Sequence, residues 1–205
     1  QGIKPLRTCD ELFSDAAARD QFHFIFAIDN SSSMSAGIPE GGNRLDGVRR
    51  AAQAFVTRRA QQQGQAGEQD VASVMQHDHR ASILCEQASL TSQTVSQALA
   101  SIRWDGANCF VTALRLVESL VNRTAANAIP VVIFMSDGGC WDEHQYTIVR
   151  NMCQARRDVR FYAVLAYDCH ESYTQVMQRL ANESRTPDSF CLAKNTTELV
   201  KKFVE

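Results

Sequence analysis

Asp29, Ser31 and Ser33 alternate along the stretch FHFIFAIDNSSSMS, Phe22 to Ser35. One carboxylate and two hydroxyls are hard oxygen donors, the ligand type that Mg²⁺ and Ca²⁺ take. The same run also reads as a strand entering a serine-rich turn, with Asp29 or Ser31 capping local backbone. The stretch alone does not separate the two. Two further segments carry compatible groups. MSDGG, Met135 to Gly139, delivers Asp137 behind an apolar run, and GANCF, Gly106 to Phe110, is a loop directly ahead of a helix.

For these groups to meet, strands and helices must carry them to one edge. Phe22–Asp29 and Ile129–Met135 are apolar at nearly every position, as strands covered on both faces are. Val71–Gln76 and Ala81–Cys85 flank the turn HDHR (77–80), too short for a crossover, so they form an antiparallel hairpin. Val159–Tyr167 and Ser189–Ala193 complete six strands. Helical spacing predicts helices over Cys9–Arg19, Arg44–Gln63, Thr94–Ile102, Phe110–Asn122, Asp142–Arg156 and Ser172–Ser184. A terminal helix carries Leu199 and Phe203 one turn apart, with Thr196 or Thr197 as its cap. Ser35–Asn43, with three glycines and a proline, is a loop, and Gly64–Gln69 is a polar linker.

This alternation predicts an α/β fold: a doubly wound, mostly parallel six-stranded sheet with one antiparallel edge strand and helices on both faces. Residues 1–21 form an N-terminal extension packing on a domain over 22–205. Ligands of such sheets bind beyond the carboxyl ends of the strands, where the winding reverses. If the strands ending at Asp29 and Asp137 are neighbours there, both carboxylates enter one crevice.

The 205 residues are 44% hydrophobic and 21% charged, enough for a full core without disulfide staples. A net charge of -2 offers no electrostatic footprint for nucleic acid or an acidic membrane surface. The longest apolar runs are too short to span a bilayer. A first residue of Gln with no leader pattern reads as a processed product or a piece of a longer chain. Seven cysteines without a CxxC argue against a zinc ribbon or redox pair and read as buried thiols. Sequons at Asn30, Asn122, Asn182 and Asn195 point the other way, but arise often by chance. The balance is an intracellular expectation.

Taken together, D-x-S-x-S, GANCFVTAL and VVIFMSDGG resemble a von Willebrand factor type A domain with a metal-ion-dependent adhesion site. RLDGVRRAAQAF resembles the family's first helix, VASVMQHDHRASI its second and third strands, and TELVKKF its last helix. The resemblance covers residues 22–205. It implies one divalent cation, Mg²⁺ or else Mn²⁺ or Ca²⁺, surrounded by Asp29, Ser31, Ser33, Asn108 and Asp137. Asn108 stands where the family has Thr, and its amide carbonyl is still a hard donor. Thr112, a helical turn further on, is no substitute. Mg²⁺ so held keeps positive charge and an open or water-filled position, which a protein partner's Asp or Glu fills.

Three functions follow as expectations. The first is a non-catalytic, metal-dependent protein-interaction and adhesion module, without nucleic-acid binding or membrane insertion, in a larger protein or complex. The second is a structural scaffold with a degenerate metal site. The third is a Mg²⁺-dependent phosphoryl-transfer enzyme with Asp29 as nucleophile, which lacks a second carboxylate at Ser31 and any P-loop.

Other residues read more simply. His77 and His79 belong to a solvated turn. Cys109, Cys140 and Cys169, with His144 and His170, lie on the rim as free thiols, with a softer metal site or a Cys140–Cys169 disulfide as alternatives. Trp104 and Trp141 contact a partner or pack beneath their loops. Asp105, Asp142, Glu143, Asp168 and Glu171 make an acidic rim, or are first-turn helix carboxylates. Arg49, Arg50, Arg58 and Arg59 form the solvated face of the first helix.

Overall fold

The strand that opens the domain buries alternate side chains in two different cores. Phe24, Phe26 and Ile28 pack in one, Ile25 and Ala27 in the other. A strand with both faces covered has no polar position to spare, which explains its unbroken apolar run. The computed structural model describes residues 21–62, 70–167 and 170–204. The expected helix over Cys9–Arg19, the extension's packing and the Gly64–Gln69 linker lie outside the described residues.

The strands are β1 (Gln21–Asp29), β2 (Val71–His77), β3 (Ala81–Ser89), β4 (Ala128–Ser136), β5 (Arg160–Ala166) and β6 (Phe190–Ala193). Their spatial order is β3-β2-β1-β4-β5-β6, parallel except for the β2–β3 hairpin. The helices are α1 (Arg44–Gln62), α2 (Gln93–Ser101), α3 (Phe110–Arg123), α4 (His144–Ala155), α5 (Glu171–Ser184) and α6 (Thr196–Val204). Helices α1, α2 and α6 cover one face through Leu45, Val48, Phe55, Val95, Leu99 and Leu199. Helices α3, α4 and α5 cover the other through Phe110, Leu114, Val149, Met152, Met177 and Leu180. The expected doubly wound sheet is therefore present. Its winding reverses between β1 and β4, which pair in register with Ile28 opposite Met135. Asp29 and Asp137 thus leave the sheet side by side.

Several local expectations are corrected. His77 is not in a solvated turn: it ends β2, paired with Ala81, and is fully buried with its ring stacked 4.9 Å from Phe134. Strand β3 runs past Cys85 to Ser89, because an edge strand tolerates Glu86 and Gln87 on its open face. Arg59 is not a solvated charge but pairs with buried Asp70 at 2.7 Å. The cap of α6 is Asn195, whose Oδ1 accepts from Glu198 N at 2.8 Å, rather than Thr196 or Thr197. Asn30 is 2% exposed and donates to Arg103 O, so its sequon has no room for a glycan.

Candidate metal-binding site

Beyond β1 the chain is pulled into a tight turn. Asp29 Oδ1 accepts from Ser31 N at 2.8 Å, and residues Ser32–Ser35 form a single 3₁₀ turn that tucks Met34 into the core. This geometry aims the Ser31 and Ser33 hydroxyls at one another, 3.1 Å apart. Ser33 Oγ donates to Asp137 Oδ1 at 3.0 Å. The β4–α4 loop that carries Asp137 turns at Gly138, with φ +83°, and a Cβ there would lie 2.4 Å from Tyr173 Cβ.

The loop ahead of α3 is fastened to the same turn by backbone. Asp105 N donates to Asn30 O at 2.7 Å, Ser32 N to Gly106 O at 2.9 Å, and Cys109 N to Asp78 O at 2.9 Å. Gly106 makes the approach possible: its φ is +60°, and a Cβ would lie 2.5 Å from His79 Nδ1. Asn108 consequently reaches Asp29, with Nδ2 donating to Oδ2 at 2.5 Å. All five side chains expected to ligate a cation are thus brought together.

Three further residues complete the site. Ser136 Oγ donates to Asp29 Oδ2 at 2.5 Å and accepts from Gly138 N. Arg44, the first residue of α1, directs Nη1 at Asp137 Oδ2 from 2.7 Å. His77 lies behind the site and favours no charge: burial pushes its pKa down to about 3, against the pull of Asn108 and Asp78. Ser136 had a trace in sequence as the hydroxyl beside Asp137. Arg44 had none, because its partner is 93 residues away.

Electrostatically the site is poor in positive charge. Asp29 and Asp137 are 0% and 2% exposed. Burial pushes both carboxyls above their ordinary range, and the Asp29 charge raises Asp137 further, while hydrogen bonds and Arg44 pull the other way. Asn30 Oδ1, Asn108 Oδ1 and the His77 ring nitrogens are buried without a well-formed hydrogen bond, although Asn108 and His77 lie close enough for Asn108 to raise the His77 pKa. An octahedral Mg²⁺ with bonds of about 2.1 Å sets neighbouring ligand oxygens about 3.0 Å apart. The Ser31–Ser33 and Ser33–Asp137 oxygen spacings match that edge. The donor set, two carboxylates, two hydroxyls and an amide oxygen, fits a hard divalent cation.

The softer alternative has less to stand on. Among the described residues no three His, Cys, Asp or Glu side chains cluster as a metal site. Cys140 is a free thiol whose sulfur accepts from Phe110 N at 3.2 Å, and Cys85, Cys109, Cys153 and Cys191 are free as well. Cys169 and Asp168 lie outside the described residues. Asp142 caps His144 N and Glu143 pairs with Arg179, so both have structural work at the start of α4. Trp104 and Trp141 are 53% and 64% exposed, so neither packs beneath its loop. A separate cavity of about 960 Å³, lined by Cys153, Arg157, Arg160 and Arg185, opens at the amino-terminal ends of β4 and β5, away from this chemistry.

Comparison with known proteins gives the same architecture. The sequence model of the von Willebrand factor type A domain matches residues 24–139. No curated protein sequence matches the chain. Among solved structures, the chain is similar to the pilus adhesin SpaC from Lactobacillus rhamnosus GG, with TM-score 0.72 at 15% identity, covering 91% of this chain and 30% of the adhesin. It is similar to a von Willebrand factor type A protein from Catenulispora acidiphila, with TM-score 0.68 at 13% identity over 90% of this chain and 41% of that one. The conserved hypothetical protein BatB from Bacteroides thetaiotaomicron is matched over 98% of its length and 88% of this chain, with TM-score 0.66 at 13% identity. At these identities the likeness is one of fold.

Proposed function

This chain belongs to the von Willebrand factor type A domain family, and we propose that it is a non-catalytic, divalent-metal-dependent protein-recognition module. Mg²⁺, or Mn²⁺ or Ca²⁺ in its place, is held by Asp29, Ser31, Ser33, Asn108 and Asp137. The observation that carries this reading is the oxygen spacing around Ser33, 3.1 Å to Ser31 and 3.0 Å to Asp137, beside two buried carboxylates. When bound, the cation supplies a Lewis-acidic position to which a partner's Asp or Glu adds. The protein's own residues prepare that position. Ser136 and Asn108 hold the Asp29 carboxylate in one orientation, and Arg44 holds Asp137.

Asn108 enters this set in its own way. Its donor end is committed to Asp29, so a cation would take Oδ1, in competition with the interaction between Asn108 and His77. The adhesion reading draws support from fold-level relatives that include the pilus adhesin SpaC and a minor pilin from Streptococcus sanguinis. Exposed Trp104 and Trp141 beside the site suit a contact surface, since Trp is enriched among interface anchors.

The test is capture by the immobilised full chain in Mg²⁺, in chelator, and with Asp29→Ala. Partners should be retained only by the wild type in Mg²⁺. Equal retention in excess chelator would sink the metal-bridge reading.

A further inference from the structure

Arg44 stands where helix electrostatics disfavour it. As the first residue of α1 it places a cation at the positive end of the macrodipole, where acidic side chains are preferred. The helix start is already satisfied without it. Asn43 Oδ1 accepts from Asp46 N at 2.8 Å, and Asp46 Oδ2 accepts from Asn43 N at 3.1 Å. Capping therefore gives no reason for an arginine. What holds Arg44 is Asp137, 2.7 Å away and 2% exposed, whereas the Arg44 side chain is 25% exposed.

Among the described residues, Asp137 is the one hydrogen-bond partner of the Arg44 side chain, through Nη1. A guanidinium has five N–H donors in a planar fork, so most of the fork is left without a partner among the described residues, on a side chain that is a quarter exposed beside Asp137. The formal charges give this position a consequence. Asp29 and Asp137 sum to two negative charges, which a divalent cation offsets, so the attraction for an anion is left to the open position of the cation alone. Arg44 restores one positive charge beside the cation, on a group whose geometry matches a carboxylate bidentately.

We propose that Arg44 is a specificity-determining anchor for the partner's carboxylate: the cation takes one oxygen and the Arg44 fork takes the other. The proposal rests on the metal-dependent reading above and names the ligand class of that same site, an exposed Asp or Glu side chain. It also assigns Arg44 an opposing effect on the cation, whose affinity it lowers by like-charge repulsion.

The experiment uses the full chain, with Mn²⁺ and then glutarate as probes, followed by calorimetry on wild type, Arg44→Gln and Arg44→Lys. Arg44→Gln should bind Mn²⁺ several-fold more tightly and, once loaded, bind glutarate at least tenfold more weakly. Arg44→Lys keeps the charge without the fork, and should recover Mn²⁺ affinity to the wild-type level but glutarate affinity only in part. Glutarate affinity of loaded Arg44→Gln within twofold of wild type overturns the role of Arg44 while leaving the metal site standing. Absence of glutarate binding to the loaded wild type overturns it too. Absence of Mn²⁺ binding to the wild type instead removes the metal-dependent reading, and this one with it.

Discussion

Asp29 and Asp137 decide the chemistry, and their protonation can be followed. Burial lifts both carboxyls above the ordinary value of 3.8. The metal-free fold then binds more protons than the unfolded chain. The stability these two groups contribute is complete below pH 3.8 and is lost as pH rises through their raised values. Buried His23 and His77, pushed down to about 4 and about 3, act the opposite way and cost stability as pH falls below 6.5. Comparing melts in Mg²⁺ and in chelator cancels the histidines. The gap between the two curves should widen as pH rises from 4 and then level off. Mn²⁺ affinity, titrated over the same range, should weaken toward acid as protons compete. Asp29, Ser31, Ser33 and Asp137 were legible in sequence because each sits in a short run that an apolar strand delivers. Ser136 left only the trace of a hydroxyl beside Asp137, and Arg44 none, since their roles are contacts spanning 107 and 93 residues.

At the scale of elements, three loops must be locked together for five side chains to converge. The loop after β4 depends on Gly138, whose positive φ and contact with Tyr173 leave no place for a Cβ. Gly138→Ala should cost roughly 2 kcal/mol or more in a thermal or denaturant melt, from left-handed strain plus the clash. Because that loop carries Asp137, Mn²⁺ affinity should fall as well, by more than tenfold. Full affinity in the variant would mean that Asp137 is not positioned by this turn. Sequence periodicity found every strand and α-helix of the described residues, because two buried faces leave continuous apolar runs and one buried face leaves helical spacing; the 3₁₀ turn Ser32–Ser35 is too short to show a period. It misplaced His77 for a physical reason. A histidine between polar neighbours reads as turn, and only the closure of β2 against β3 over Phe134 makes it core. It also ended β3 early, since an edge strand lacks the apolar pattern used to find it.

For the whole molecule, the reversal of winding between β1 and β4 opens the crevice into which both carboxylates project, the place where ligands of such sheets bind. A ligand bound only by the folded state stabilises it by about 2.7 kcal/mol at a hundred times its Kd. For a chain of this size each kcal/mol moves Tm by roughly 2–4 °C. Saturating Mg²⁺ should therefore raise Tm by about 5–10 °C. The chain's two tryptophans, Trp104 and Trp141, both belong to loops flanking the site, so Mn²⁺ should also change intrinsic fluorescence along a single saturable curve.

The most direct test is calorimetric titration of the full chain with Mn²⁺, repeated on Asp29→Ala after a chelator melt shows that the variant is folded. One ion should bind per wild-type chain and be displaced by Mg²⁺, with no measurable binding to the variant. A wild type that takes up no ion, or a folded Asp29→Ala that binds as tightly as wild type, would contradict the metal-dependent reading.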